Sequence, residues 1–211
     1  IKLYKATLDK EGQWSDVAEL PFNSSEYSVA HPTLSVDEKT LYFASDMPGT
    51  LGQSDLFRVI INADGTYGVP ENLGPEVNTE GRETFPFISK DNELYFASDG
   101  RPGLGGLDIF VARIGTDNSF YSLQNVGEPI NSKQDDFAFL INSKNRNGFF
   151  TSNREGGQGY DDIYRFVENK KLTCEQTLSG LVTDSDSGEI LTNVKISLFD
   201  ANFKPLQVVQ T

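Results

Sequence analysis

Apolar and polar residues alternate with a period of two along most of the first 172 residues, in runs of five to eight broken by Gly, Pro, Asn and Asp. In TFPFISKDNELYFASD, residues 84 to 99, the apolar positions are Phe85, Phe87, Leu94 and Phe96, either side of a tight turn at Lys90-Asp91-Asn92. That pattern predicts two short strands forming a hairpin. The Gly/Pro loop GRPGLGG, residues 100 to 106, interrupts them, LDIFVARI alternates again as a third strand, and SFYSLQNVG supplies a fourth, more polar one after the turn Gly115-Thr116-Asp117-Asn118. No segment carries the 3.6-residue period of an amphipathic helix over ten or more positions.

The unit recurs. LYFASDMPGTLGQSDLF at 41 to 57 returns as LYFASDGRPGLGGLDIF at 94 to 110 and as GFFTSNREGGQGYDDIY at 148 to 164. Phe43, Phe96 and Phe150 lie 53 and 54 residues apart, and so do Asp55, Asp108 and Asp162. A fixed period of this length with four strands per unit predicts propeller blades. Burial should be greatest at the innermost strand and polarity greatest at the outermost. The third copy has a first turn about two residues longer, and its fourth strand is not evident. The opening stretch, IKLYKATLDKEGQWSDVAELPFNSSEYS, reads as strands three and four of an earlier blade, with Trp14 in the place of Phe120. The expectation is an all-β chain: a partial propeller of about three and a half four-stranded antiparallel blades over residues 1–172, then the start of a β-sandwich over 173–211.

In each copy a Ser-Asp or Ser-Asn follows strand two, a Gly-rich loop comes next, and an Asp opens strand three. The positions are Ser45, Asp46, Gly52 and Asp55; Ser98, Asp99, Gly105 and Asp108; Ser152, Asn153, Gly157 and Asp162. Short carboxylate and hydroxyl groups accept hydrogen bonds from loop N–H groups that no strand satisfies. The expected role is structural, because a catalytic residue would need to occur only once.

Composition narrows the function. Lys plus Arg is 18 and Asp plus Glu is 31, a net charge of −13. Such a surface repels phosphate, which argues against nucleic acid and anionic lipid as partners. No apolar run approaches a membrane span. The one cysteine, Cys174, cannot form an internal disulfide. The chain opens on Ile1 within a strand-like pattern, suggesting a piece of a longer polypeptide with any targeting segment upstream.

Candidate chemistry is sparse. The single histidine, His31, precedes Pro32 where the second copy has Phe85, and reads as a packed or hydrogen-bonded residue. No G-x-S-x-G elbow is present, and one His and one Cys do not make a zinc site. DSDSGE at 184 to 189 has the opening spacing of an EF-hand loop, but position 195 is lysine where a glutamate would close it, so a hairpin turn is the better reading. The pairs Asp135-Asp136 and Asp161-Asp162 read as loop carboxylates rather than cation ligands. No catalytic residue, metal or cofactor is expected. Aromatic platforms for a glycan remain a second option, although Tyr42, Phe43, Tyr95 and Phe96 sit within strands and should mostly pack between blades.

The pattern LYFASDxxPGxxGxxDIF resembles the WD40-like repeat of TolB-type propellers. The GLGGLDIF version resembles repeats of OmpA-like, peptidoglycan-associated proteins of Bacteroidota, and SGLVTDSDSGEILTNVKISLFDANFKPL, residues 179 to 206, is similar to the opening of the carboxypeptidase-regulatory-like sandwich that follows the propeller in that family. The nearest parallel within it is the periplasmic lipoprotein of the type IX secretion system. The resemblance implies a non-catalytic scaffold in the periplasm, associated with the outer membrane, that binds protein partners of the outer membrane or secretion machinery. Peptidoglycan would be reached only through a domain not in this chain. The alternative it leaves is carbohydrate or cell-wall recognition.

Overall fold

The computed structural model describes residues 1–172, 180–199, 203 and 205–210. The chain divides into two compact units, Ile1–Thr173 and Cys174–Thr211. Every regular element among the described residues is a strand: β1 (Tyr4–Leu8), β2 (Trp14–Glu19), β3 (Val29–Leu34), β4 (Thr40–Ser45), β5 (Asp55–Ile60), β6 (Glu71–Asn72), β7 (Glu83–Ile88), β8 (Glu93–Ser98), β9 (Asp108–Ile114), β10 (Phe120–Asn125), β11 (Asp136–Ile141), β12 (Asn147–Ser152), β13 (Asp162–Val167), β14 (Lys195–Phe199) and β15 (Pro205–Gln210).

The first unit holds the hairpin β1-β2, two four-stranded sheets ordered β3-β4-β5-β6 and β7-β8-β9-β10, and the sheet β11-β12-β13. All neighbours are antiparallel and consecutive in the chain. Register repeats with the sequence: Ser45 lies opposite Asp55, Ser98 opposite Asp108, and Ser152 opposite Asp162. The N-terminal hairpin copies β9-β10 two repeat lengths earlier. Leu8 faces Trp14 as Ile114 faces Phe120, and Lys5 faces Ala18 as Val111 faces Gln124. Both hairpins share one bulge, with Asp16 and Ser122 in the left-handed region at φ 51° and 55°. The first strand of each sheet has its own recurrent bulge, where His31, Phe85 and Ala138 take φ of 53°, 50° and 51°.

Sheets pack through three apolar clusters. Leu20, Phe22, Phe43 and Phe57 lie between the hairpin and the first sheet; Tyr42, Leu56, Phe96 and Phe110 between the first and second; Tyr95, Ile109, Phe139 and Phe150 between the second and third. Alternation along each strand supplies one layer from each face. In the two four-stranded sheets burial peaks at the second strand, where β8 is buried throughout, while the first strands are only half-buried and β10 is largely half-exposed. Burial is thus greatest one strand in from the edge of each four-stranded sheet. A first strand has a hydrogen-bonded neighbour on one side only, whereas the second is flanked on both sides and covered on both faces. The third hairpin loop also differs from expectation: Ile141 faces Gly148 across the same span as Leu34 and Leu41, one residue longer than Ile88 to Leu94.

In the second unit β14 pairs with β15, and Thr183 bridges Ile190. Cys174 falls outside the described residues. No helix among the described residues is long and apolar enough to cross a membrane.

Candidate functional site

The recurrent loop is built the same way in each copy. The serine closing strand two accepts from the N–H two residues on: Met47 to Ser45 at 3.1 Å, Gly100 to Ser98 at 3.2 Å, Arg154 to Ser152 at 3.2 Å. The next residue reaches to the segment before strand one. Asp46 accepts from the Ser28 N–H at 2.6 Å, Asp99 from Arg82 at 2.6 Å, and Asn153 from Asp135 at 2.8 Å. The aspartate opening strand three turns back into the loop. Asp55 accepts from Leu51 at 2.8 Å, Asp108 from Leu104 at 2.6 Å and Gly105 at 3.2 Å, and Asp162 from Gly159 at 3.0 Å. Asp55 and Asp108 are buried. Each keeps one carboxylate oxygen, Oδ1, without a hydrogen-bond partner among the described residues. Burial pushes the Asp108 carboxyl above its ordinary range, with Asp136 and Asp135 adding to the shift.

Gly52 and Gly105 serve a different need. A side chain at Gly52 would collide with the Glu80 and Gly81 backbone of the next repeat, and one at Gly105 with the Ser132 and Gln134 carbonyls. Gln53 N–H also donates to the Gly81 carbonyl at 3.0 Å. Gly157 does not match them. Its missing Cβ clears Asp162, as that of Gly103 clears Asp108. The positional match to Gly52 and Gly105 is Gly159, where an added Cβ would meet nothing closer than 3.7 Å.

The sequence reading missed a second recurrent group. Asn23, Asn78 and Asn131 each use the side-chain amide to pair with both backbone groups of one residue. Asn78 accepts from Leu56 N–H at 2.8 Å and donates to its carbonyl at 2.9 Å; Asn131 does the same with Ile109 at 2.8 and 2.9 Å, and Asn23 with Leu3 at 3.0 and 2.6 Å. The signal was present in Phe22-Asn23-Ser24, Val77-Asn78-Thr79 and Ile130-Asn131-Ser132. Two further carboxylates are buried in first strands: Glu83, which the sequence reading missed, and Asp136, which it took for a loop carboxylate and which instead opens β11. Glu83 accepts from Thr79 N–H and Oγ and from Ser98 Oγ; Asp136 accepts from Ser132 N–H and Oγ and from Arg154. The first sheet has Val29 at this position, so the motif does not recur in all copies.

His31 stacks on Phe85 with ring centroids 3.8 Å apart, and Phe85 packs at a tilt of 32° against Phe137 at 4.9 Å. Its Nδ1 is hydrogen-bonded with Thr84 Oγ1 at 2.8 Å, and burial pushes its pKa below the ordinary value. Asp184 accepts from Asp186 and Ser187 N–H at 3.0 and 2.8 Å, which holds it in a hairpin turn. These backbone bonds lower its pKa. Among the described residues no group of three or more His, Cys, Asp or Glu is placed to hold a metal ion. A cavity of about 280 Å³ lies among Tyr95, Phe139, Phe166 and Leu172, with Glu128 and Glu168 also in its wall.

These features define an all-β chain of small antiparallel sheets, repeated in register and held by recurrent loop carboxylates and amides. Compared with protein-family models and with curated protein sequences, the chain matches none.

Proposed function

We propose that the stacked sheets of residues 1–172 are blades of a WD40-like, TolB-type β-propeller, and that residues 173–211 begin a carboxypeptidase-regulatory-like sandwich. On this reading the chain is a non-catalytic, protein-binding scaffold of a periplasmic complex at the outer membrane, linked to type IX secretion or envelope anchoring. One observation carries it: in all three copies the motif's hydroxyls, amides and carboxylates are engaged with loop backbone. Conserving that chemistry within the repeat makes rigid loops, and rigid loops on a scaffold are suited to docking a partner. Fold alone does not fix the partner.

The test is an affinity capture from envelope extracts with the tagged intact parent protein, read by mass spectrometry. Recovery of secretion-system or outer-membrane components, lost when residues 1–172 are deleted, supports the scaffold. Retention on glycan or cell-wall resin, with no protein recovered, replaces it with a carbohydrate-recognition module. Turnover of a substrate by the isolated chain sinks both readings.

A further inference from the structure

Two of the layers between sheets share one arrangement at their turns, and the chain fills them differently. Between the second and third sheets, Arg146 reaches across from the turn before β12. It donates through Nη1 to Asp91 at 2.9 Å and pairs with Glu168, and Lys171 lies 3.1 Å from the same Asp91 oxygen. Between the first and second sheets the positions match but the residues do not. Asp37 and Asp91 each follow the first serine of their turn, Ser35 or Ser89, by two residues, and Tyr42 stands where Tyr95 does. Asn92 stands for Arg146 and Ile114 for Glu168. The Asn92 carbonyl accepts from Ile114 N–H at 3.1 Å as the Arg146 carbonyl accepts from Glu168 N–H at 2.9 Å, and both residues take a left-handed φ, 60° and 56°.

Asparagine is too short to cross this layer and isoleucine cannot pair with a cation, so the place of the guanidinium stays open. A cavity of about 550 Å³ lies there, walled by Asp37, Lys39 and Tyr42 on one side and by Asn92, Ile114 and Asn118 on the other. Every residue of its wall lies between Ser35 and Asn118, in the first two sheets and their turns. Asp37 Oδ1 accepts from Ser35 Oγ at 2.7 Å and from Lys39 N–H at 3.1 Å. These bonds hold its carboxyl below the ordinary range, and it forms no ion pair among the described residues. The Asn118 and Thr116 side chains make no hydrogen bond among the described residues and add acceptors. Ile60 and Ile114 give an apolar wall for methylene groups. Two cations border the site. Arg58 is spent on Glu71 at 3.2 Å and on the Asn118 carbonyl at 3.0 Å, whereas Lys39 forms no ion pair and competes for Asp37.

We propose that this cavity takes the guanidinium of an arginine side chain presented by a partner polypeptide, with its charge on Asp37 and its stem against Ile60 and Ile114, in the place that Arg146 fills in the next layer. Asp37 is exposed, so one such side chain binds weakly, and added salt weakens it further. The inference rests on the comparison of the two layers and does not depend on the scaffold reading.

An NMR chemical-shift titration of the 211-residue chain with the neutral-ended peptide acetyl-Gly-Arg-Gly-amide tests it. The dissociation constant should be on the order of millimolar, with shifts concentrated at Asn92, Thr116 and Asn118. The same peptide with citrulline for arginine keeps the shape without the charge and should bind at least about threefold more weakly, as should the arginine peptide to Asp37→Asn. Lys39→Ala removes the competing cation and should tighten binding about twofold. Asp37 and Lys39 are exposed, so far-UV circular dichroism of both variants should match the wild type. Asn92→Arg supplies a guanidinium from the chain itself, on a backbone that Arg146 already tolerates, and should abolish peptide binding. An arginine peptide that shifts none of these signals overturns the proposal. So does a citrulline peptide that binds equally well, an Asp37→Asn or Asn92→Arg chain that binds as the wild type does, or a Lys39→Ala chain that binds no more tightly.

Discussion

Replacing Asn131 with Ala should cost the first unit about 2 kcal/mol, because it leaves the buried Ile109 N–H without a partner, worth about 1–3 kcal/mol. Asn131 is 1% exposed, and the residue it clamps, Ile109, is fully buried. The amide supplies the acceptor for Ile109 N–H and a donor to the Ile109 carbonyl, which also accepts from Val126 N–H at 3.1 Å and so keeps a partner when the amide is removed. Its third bond, to Asn125 Oδ1 at 2.7 Å, matters less, since that oxygen still accepts from Gly127 N–H. Asn131→Asp keeps the shape and the acceptor but sets an oxygen against the Ile109 carbonyl, so it should not rescue the loss. Asn23→Ala removes the same clamp at a half-buried site, where water can take over, and should cost about 1 kcal/mol. Urea unfolding followed by far-UV circular dichroism gives all three values from midpoint and slope. If Asn131→Ala falls within about 0.5 kcal/mol of wild type, or is as mild as Asn23→Ala, the clamp does not hold the layer as argued.

Three other outcomes follow from the same geometry. Gly105→Ala forces a methyl against the Ser132 and Gln134 carbonyls and should destabilise by about 2 kcal/mol or more, while Gly159→Ala meets open space and should stay within about 0.5 kcal/mol; equal effects in urea unfolding would contradict the loop-to-loop contact. Lys171 first, and then Arg146, holds the Asp91 carboxyl below its ordinary range, so its contribution is present above the unfolded value near about 3.9 and is lost as pH falls through the lower folded value. Asp91→Asn should therefore cost at most about 1 kcal/mol at neutral pH, since the site is partly exposed, and the gap to wild type should close in acid. His31 is the only histidine, so its imidazole NMR signals report it alone; they should titrate below about 6.5, and stability should rise with pH across the window beneath that value, because the unfolded chain there binds the extra proton. His31→Phe should flatten that slope, and a titration midpoint at or above 6.5 would refute burial as the cause.

The serines and the aspartates opening strand three were legible because they recur at a fixed interval and bond nearby loop N–H groups, whereas the partners of Asp46, Asp99 and Asn153 lie 17 or 18 residues away and were not. A serine or aspartate two to four residues from a loop N–H needs no tertiary information to find its partner. The asparagine clamp recurs just as regularly, but its partner lies 22 residues away for Asn131 and 20 for Asn23, so the sequence shows the asparagine without showing what it binds. Glu83 and Asp136 were harder still. Buried carboxylates in first strands run against the alternation rule, and although the Thr79 and Ser132 hydroxyls lie only four residues away, the fold alone brings up Ser98 and Arg154, 15 and 18 residues on. The strand of greatest burial was not legible for a related reason. Alternation reports which face of a strand is apolar, but not whether the strand lies at an edge or between two neighbours.

The motif also couples each sheet to the next. Asp55 holds the loop to its own strand, while Gly52 in the same loop lies against the backbone of the next repeat, and Glu83 N–H donates to the Ser54 carbonyl at 2.7 Å. The second loop does the same through Asp108, Gly105 and the bond from Asp136 N–H to the Leu107 carbonyl at 2.6 Å. One loop thus sets both the turn of its own repeat and the approach of the following sheet. In the third copy the residues are conserved but the second half of the arrangement is missing. Among the described residues Gly159 touches no neighbouring loop, and Asp162 is half-buried where Asp55 and Asp108 are buried. Among the described residues the same sequence motif is therefore two-sided in the first two copies and one-sided in the third.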